Sequence, residues 1–161
     1  CIDKFGENGT LEINKCKFYD NKSNYWASCV WVGTSRSDNR NDQCLITDSV
    51  FKGNYGKYTS TVATSSENCV IKNCLFENNE CDSGGTVNVS HYGTLEVVDT
   101  DITGNICTSD EEDDSTTAGI CIDACGKLVL NGKVNIRIFP ASGPLHISIS
   151  YRFLATLFPH F

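Results

Sequence analysis

The sequence predicts an all-β solenoid, a parallel β-helix of about four to five coils, and three observations predict it. The motif C-x-F-x-x-N is written twice, at 16–21 and at 74–79. The column pattern around it, with apolar, small and Asn positions at fixed offsets, returns at intervals of 33, 25, 26 and 33 residues. Each interval also holds short runs that alternate with a period of two, and nothing recurs at i, i+3, i+4, i+7. Repetition of this kind marks a stack of supersecondary units rather than a single packed domain of unrelated parts.

The first copy is Leu11, Ile13, Cys16, Phe18 and Asn21; the second is Cys44, Ile46, Ser49, Phe51 and Asn54. The third reads Cys69, Ile71, Cys74, Phe76 and Asn79, and the fourth Leu95, Val97, Thr100, Ile102 and Asn105. A fifth begins with Leu128 and Leu130, but the same offsets then place Lys133 and Asn135 in the small and aromatic positions, with no Asn beyond. Between copies lie Val30-Trp31-Val32, a weaker Thr61-Val62-Ala63-Thr64, Val87-Asn88-Val89 and Ile120-Cys121-Ile122, and Cys1-Ile2-Asp3 opens the chain in the same manner. Three short strands per turn cannot bury their own inward side chains. Stacked at the ~4.8 Å strand spacing, they give every amide a partner in the next coil.

In that stack like side chains meet like. Phe18, Phe51, Phe76 and Ile102 are expected to form one interior ladder, and Asn21, Asn54, Asn79 and Asn105 a corner ladder. The small residue two before the aromatic admits the bend. Asn suits the corner because it tolerates left-handed backbone angles and its amide can bond to the next Asn.

The Phe-x-x-Asn segments, together with Gly84-Gly85-Thr86-Val87 and the looser Ala118-Gly119-Ile120, resemble the repeats of polymorphic outer membrane proteins. More broadly the chain is similar to the right-handed parallel β-helix (pectin lyase-like) superfamily. The resemblance covers roughly residues 1–135 and implies a right-handed solenoid in a secreted or surface-exposed, adhesin-like passenger or stalk. Residues 136–161 break the repeat, carry all three prolines and alternate Leu145, Ile147, Ile149, Tyr151 and Phe153. They read as a C-terminal cap strand or a non-homologous tail.

Charge and composition narrow the function classes. A net charge of −7 argues against nucleic acid and anionic lipid as partners, since both need a basic stripe. No apolar run reaches the roughly 18–20 residues of a membrane span, so insertion by this segment is not expected. The chain contains no Met and no leader-like start, so it reads as a mature chain or a fragment. No C-x-x-C occurs among the ten cysteines, which argues against zinc. Cys44 with Cys69 is read as a pair of interior thiols acting as small apolar fillers; Cys81 with Cys107 is read as a more exposed pair whose oxidation state stays open.

A non-enzymatic extracellular or cell-surface segment is therefore expected, presenting the loops 33–42 and 106–117 to a host or cell-surface glycan or protein, with no cofactor and no catalytic residue. Trp26 and Trp31, with Tyr25 and Tyr55, are candidate sugar contacts, because aromatic rings stack on apolar pyranose faces. Trp31, between inward Val30 and Val32, should point outward. Asp110, Glu111, Glu112, Asp113 and Asp114 form a run that reads first as a solvated loop and second as a weak calcium site. The alternative function is a truncated or degenerate carbohydrate-active enzyme. Its carboxylates would come from Asp48, Asp99, Asp101 and Glu96, with Arg36 and Arg40 nearby, although Asp is also what turns prefer.

Overall fold

The computed structural model describes residues 2–5, 9–25, 27–33, 42–91, 93–108, 118–122 and 126–138. Among them there is no helix, and every strand pairing is parallel. The chain is a parallel β-helix.

Each coil visits the same sheets in the same order. The first coil runs through β1 (Ile2–Phe5), β2 (Thr10–Asn14), β3 (Lys17–Tyr19) and the two-residue β4 (Lys22–Ser23). The second repeats this as β5 (Val30–Gly33), β6 (Gln43–Thr47), β7 (Val50–Lys52) and β8 (Tyr55–Gly56), and the third as β9 (Thr59–Thr64), β10 (Asn68–Lys72), β11 (Leu75–Glu77) and β12 (Glu80–Cys81). The fourth has β13 (Gly85–Val89), β14 (Thr94–Val98) and β15 (Asp101–Cys107), and the fifth β16 (Ile120–Ile122), β17 (Lys127–Asn131) and β18 (Asn135–Ile138). Sheet order is β1-β5-β9-β13-β16 on one face and β2-β6-β10-β14-β17 on the second. The third face, β3-β7-β11-β15 with β18, turns through the long β15 into the corner strands β12-β8-β4. These corner strands are a fourth segment per coil that the sequence reading did not resolve, because two residues are too few to show alternation.

The register is the one the columns require. Leu11, Cys44, Cys69, Leu95 and Leu128 are successive partners, as are Ile13, Ile46, Ile71, Val97 and Leu130. Phe18, Phe51, Phe76 and Ile102 pair in turn. A one-residue slip would turn every one of these side chains to solvent, so burial of one face fixes the pairing. Ile46, Phe51, Ile71, Phe76, Leu95 and Val97 are all fully buried. The rings of Phe18 and Phe51 stack with centroids 4.7 Å apart, and those of Phe51 and Phe76 at 4.6 Å, both pairs within 1° of parallel. The backbone repeat sets that spacing, which places ring over ring.

Two details differ from the sequence reading. In the fifth coil the turn after β17 is one residue longer than its counterparts, so Ile102 pairs with Ile136 and not with Asn135, which faces Asp101 instead. The ladder therefore continues on Ile136, and pairing carries the coil to Ile138. The left-handed residues are also not the corner Asn themselves. They are the residues immediately before, Asp20, Gly53, Asn78 and Gly104, with φ of +53°, +66°, +53° and +67°. The other bend repeats the device: Lys15, Asp48, Asn73 and Asp99 have φ of +53°, +51°, +52° and +46°, each followed by the small residue of the column.

At Gly104 the left-handed angle meets a second constraint, since an added Cβ would collide with Asn78 Oδ1 of the coil before. Gly104→Ala should cost about 1–2 kcal/mol from the backbone angle alone, with the collision in addition. Chemical denaturation checks it. Unchanged stability would show that this bend is not held as described.

Candidate functional site

Among the described residues, many polar side chains with defined partners lie at the corners and turns between the strands. At the corner after the third sheet, Asn54 is buried and hydrogen-bonded at every position of its amide. Its Nδ2 donates to Asn79 Oδ1 at 2.9 Å and to the Phe18 carbonyl at 3.0 Å, while its Oδ1 accepts from the Asn21 backbone N–H at 3.0 Å and from Asn21 Nδ2 at 2.9 Å. Asn79 repeats the pattern, donating to Asn105 Oδ1 at 2.9 Å and to the Phe51 carbonyl at 3.0 Å and accepting from the N–H and Nδ2 of Asn54. Asn105 Nδ2 donates to the Phe76 carbonyl at 3.0 Å. On the Asn54 and Asn79 amides nothing is left over for a ligand.

The opposite bend holds a second ladder of mixed chemistry. The Cys16 N–H donates to Ser49 Oγ at 3.1 Å and the Cys74 N–H to Thr100 Oγ1 at 3.3 Å, and each hydroxyl donates to a carbonyl two residues earlier. Hydroxyls form a third on the first face, where Ser28 donates to the Ser60 carbonyl, Thr61 to the Thr86 carbonyl and Thr86 to the Ala118 carbonyl. Buried polar groups of this kind are stable only when paired, and these are paired from coil to coil.

Outside, the carboxylates on the turn after the second sheet form a column along the stack. Asp48 Oδ1 accepts from Asn73 Nδ2 at 3.3 Å and its Oδ2 from Asn14 Nδ2 at 3.4 Å, and Asp99 Oδ1 accepts from the Lys133 N–H at 2.8 Å. Asp101 accepts from Asn135 Nδ2, and Glu96 from Asn131 Nδ2, both at 2.5 Å. Each carboxylate is bonded to a neighbouring coil. Asp48 and Asp99 are two coils apart, ~9.6 Å at the strand spacing. Arg36 and Arg40 lie outside the described residues, as do Trp26 and the run Asp110, Glu111, Glu112, Asp113 and Asp114.

Trp31 is half-buried on β5, between buried Val30 and Val32, and stands in register with Asp3 and Ala63. Tyr25 is 66% exposed. Tyr55 sits on the corner strand β8 and not on the sheet of Trp31, and its hydroxyl donates to Asp82 Oδ2 at 3.0 Å, a bond that raises its pKa. Beside it a shallow groove of about 660 Å³ crosses the first three coils, lined by Asp20, Lys22, Asn24, Tyr55, Asn78 and Glu80. An apolar ring flanked by carboxylates, an ammonium and amides suits a polyhydroxylated ligand, which needs one flat apolar contact and several hydrogen bonds.

Sequence reasoning missed one buried ion pair. Lys4 Nζ lies 2.6 Å from Asp42 Oδ1, with the Asp42 side chain fully buried. The Gly9 N–H also donates to that oxygen at 3.3 Å, so the pair ties the first coil to the second. Thirty-eight residues separate the partners, and no local pattern signals such a contact.

Cysteine placement refines the expectation. Cys44 and Cys69 are in register and 1% exposed. A hydrogen bond with Cys44, followed by burial, holds the Cys69 thiol well above its usual range. Burial likewise pushes Cys29 and Cys74 up to about 11. The Cys81–Cys107 pair is less exposed than its sequence position suggested: Cys107 is half-buried and Cys81 fully so, because the corner strands fold it inward.

No protein-family model, curated protein or solved structure matches the chain. Among the described residues no helix is long and apolar enough to cross a membrane.

Proposed function

We propose that this chain is a non-enzymatic β-helix segment of an extracellular or cell-surface protein, an adhesin-like stalk of the polymorphic outer membrane protein kind, whose outer corner contacts a glycan or a glycosylated protein. One observation carries the reading: the corner amides and hydroxyls are committed to coil-to-coil bonds, while the side chains on the outer turn around Tyr55 face a polar groove. A rod of this construction holds variable outer residues at fixed spacing, which is what a presenting surface needs. A carbohydrate-cleaving enzyme is the second reading, favoured by the exposed Asp48 and Asp99 column.

Binding to an array of oligosaccharides and an assay for polysaccharide cleavage separate the two. The stalk reading expects retention of at least one glycan class, loss of that retention in Tyr55→Ala with unchanged unfolding midpoint, and no new chain ends. Cleavage that disappears in Asp48→Asn or Asp99→Asn would overturn it.

A further inference from the structure

We infer that Cys81 and Cys107 form an oxidisable pair, a covalent modification site at which the third coil is closed onto the fourth by a disulfide. The two residues are direct partners in the parallel pairing of β12 with β15, and each is the last residue of its strand. Each thiol reaches a backbone carbonyl beside the other cysteine, Cys107 Sγ to Asp82 at 3.4 Å and Cys81 Sγ to Ile106 at 3.9 Å. Partners at the ~4.8 Å strand spacing meet the Cα requirement of a disulfide, and the Cβ atoms need to close by under about 1 Å.

Strand ends can supply that closure. Cys44 and Cys69 have the same register but sit inside the five-residue strands β6 and β10 and not at a strand end. Cys44 and Cys69 are also closed to reagents, whereas Cys107 is half-exposed. The geometry thus separates two pairs that the columns treat alike.

The chemistry requires an oxidant, and a low-molecular-weight disulfide such as oxidised glutathione suffices. The Cys107 thiolate attacks one sulfur of the reagent, forming a mixed disulfide and releasing one reduced thiolate. Deprotonated Cys81 then attacks Cys107 Sγ, the Cys81–Cys107 bond forms, and the second reduced thiolate leaves. In total two thiols lose two protons and two electrons, and the reagent gains them. In the dithiol, Cys107 and then burial raise the Cys81 thiol above its usual pKa; burial persists once Cys107 is capped, so the second step should accelerate as pH rises. Cys121 lies within electrostatic reach of Cys81 and is the competing partner.

The inference holds whatever the groove binds. The test is to incubate the full chain with oxidised glutathione under native conditions, block remaining thiols and map the peptides by mass spectrometry. Expected is a linked peptide joining Cys81 and Cys107, short of two hydrogen atoms, while Cys44 and Cys69 remain blocked thiols. In Cys107→Ser, Cys81 should stay a thiol. A Cys107 that stops at the mixed disulfide, a Cys81–Cys121 link, or oxidation of Cys44 and Cys69 at the same rate would each overturn the assignment.

Discussion

Phe51→Ala should lower the free energy of unfolding by roughly 3–5 kcal/mol, among the largest losses any single truncation in this chain will give. The ring is fully buried and has an aromatic neighbour on each side, Phe18 and Phe76, both at stacking distance. Collapse into the space is resisted because those neighbours are held by the backbone pairing of β3, β7 and β11 and cannot close up along the axis. Trp31→Ala is the control: a larger ring, but half-buried on the outer side of β5, it should cost about 1 kcal/mol on the area it covers. Denaturant unfolding of both variants reads the difference. Equal losses would mean that the inward and outward assignments are wrong.

Asn79→Ala should be comparably severe for a different reason. Its removal strips partners from the N–H and Nδ2 of Asn54, from the Phe51 carbonyl and from Asn105 Oδ1, all inside the corner. Each buried group left unsatisfied costs on the order of 1–3 kcal/mol, so a total of at least about 3 kcal/mol is expected. Asn79→Asp should not rescue it, because a carboxylate accepts from Asn54 but cannot donate to Phe51 or Asn105. Glycan retention by the folded fraction should be unchanged. A variant that unfolds at the parental midpoint yet loses binding would show that Asn79 serves a ligand and not the ladder.

What was legible in the sequence was whatever recurs at a constant offset. The five residues of each copy, from the Leu11 position to the Asn21 position, keep their spacing because parallel pairing forbids drift between coils, and so the register of the first four coils is legible directly. The fifth coil broke that rule with one extra turn residue, and a fixed offset then landed on Asn135 while the side chain that fills the interior is Ile136. The left-handed residue was placed one position late for a related reason: Asp20, Gly53, Asn78 and Gly104 share a backbone angle but no side-chain type, whereas the Asn that follows is the conspicuous letter. Of the candidate site, Tyr55 is legible as one of the aromatics, but its groove depends on Asp20 and Asn24 from the first coil and Glu80 from the third. Those residues are ordinary turn and surface types, and only stacking makes them neighbours. Lys4 and Asp42 meet for the same reason.

The most direct measurement is the pattern of nuclear Overhauser contacts along the second face in solution. Parallel in-register stacking predicts contacts from Ile46 to Ile71 and from Ile71 to Val97, with Cys44 to Cys69 and Cys69 to Leu95 alongside, and no close cross-strand Hα–Hα pairs. Close Hα–Hα pairs, which antiparallel strands produce, or contacts displaced by one residue from these partners, would contradict the coil assignment and the ladders built on it.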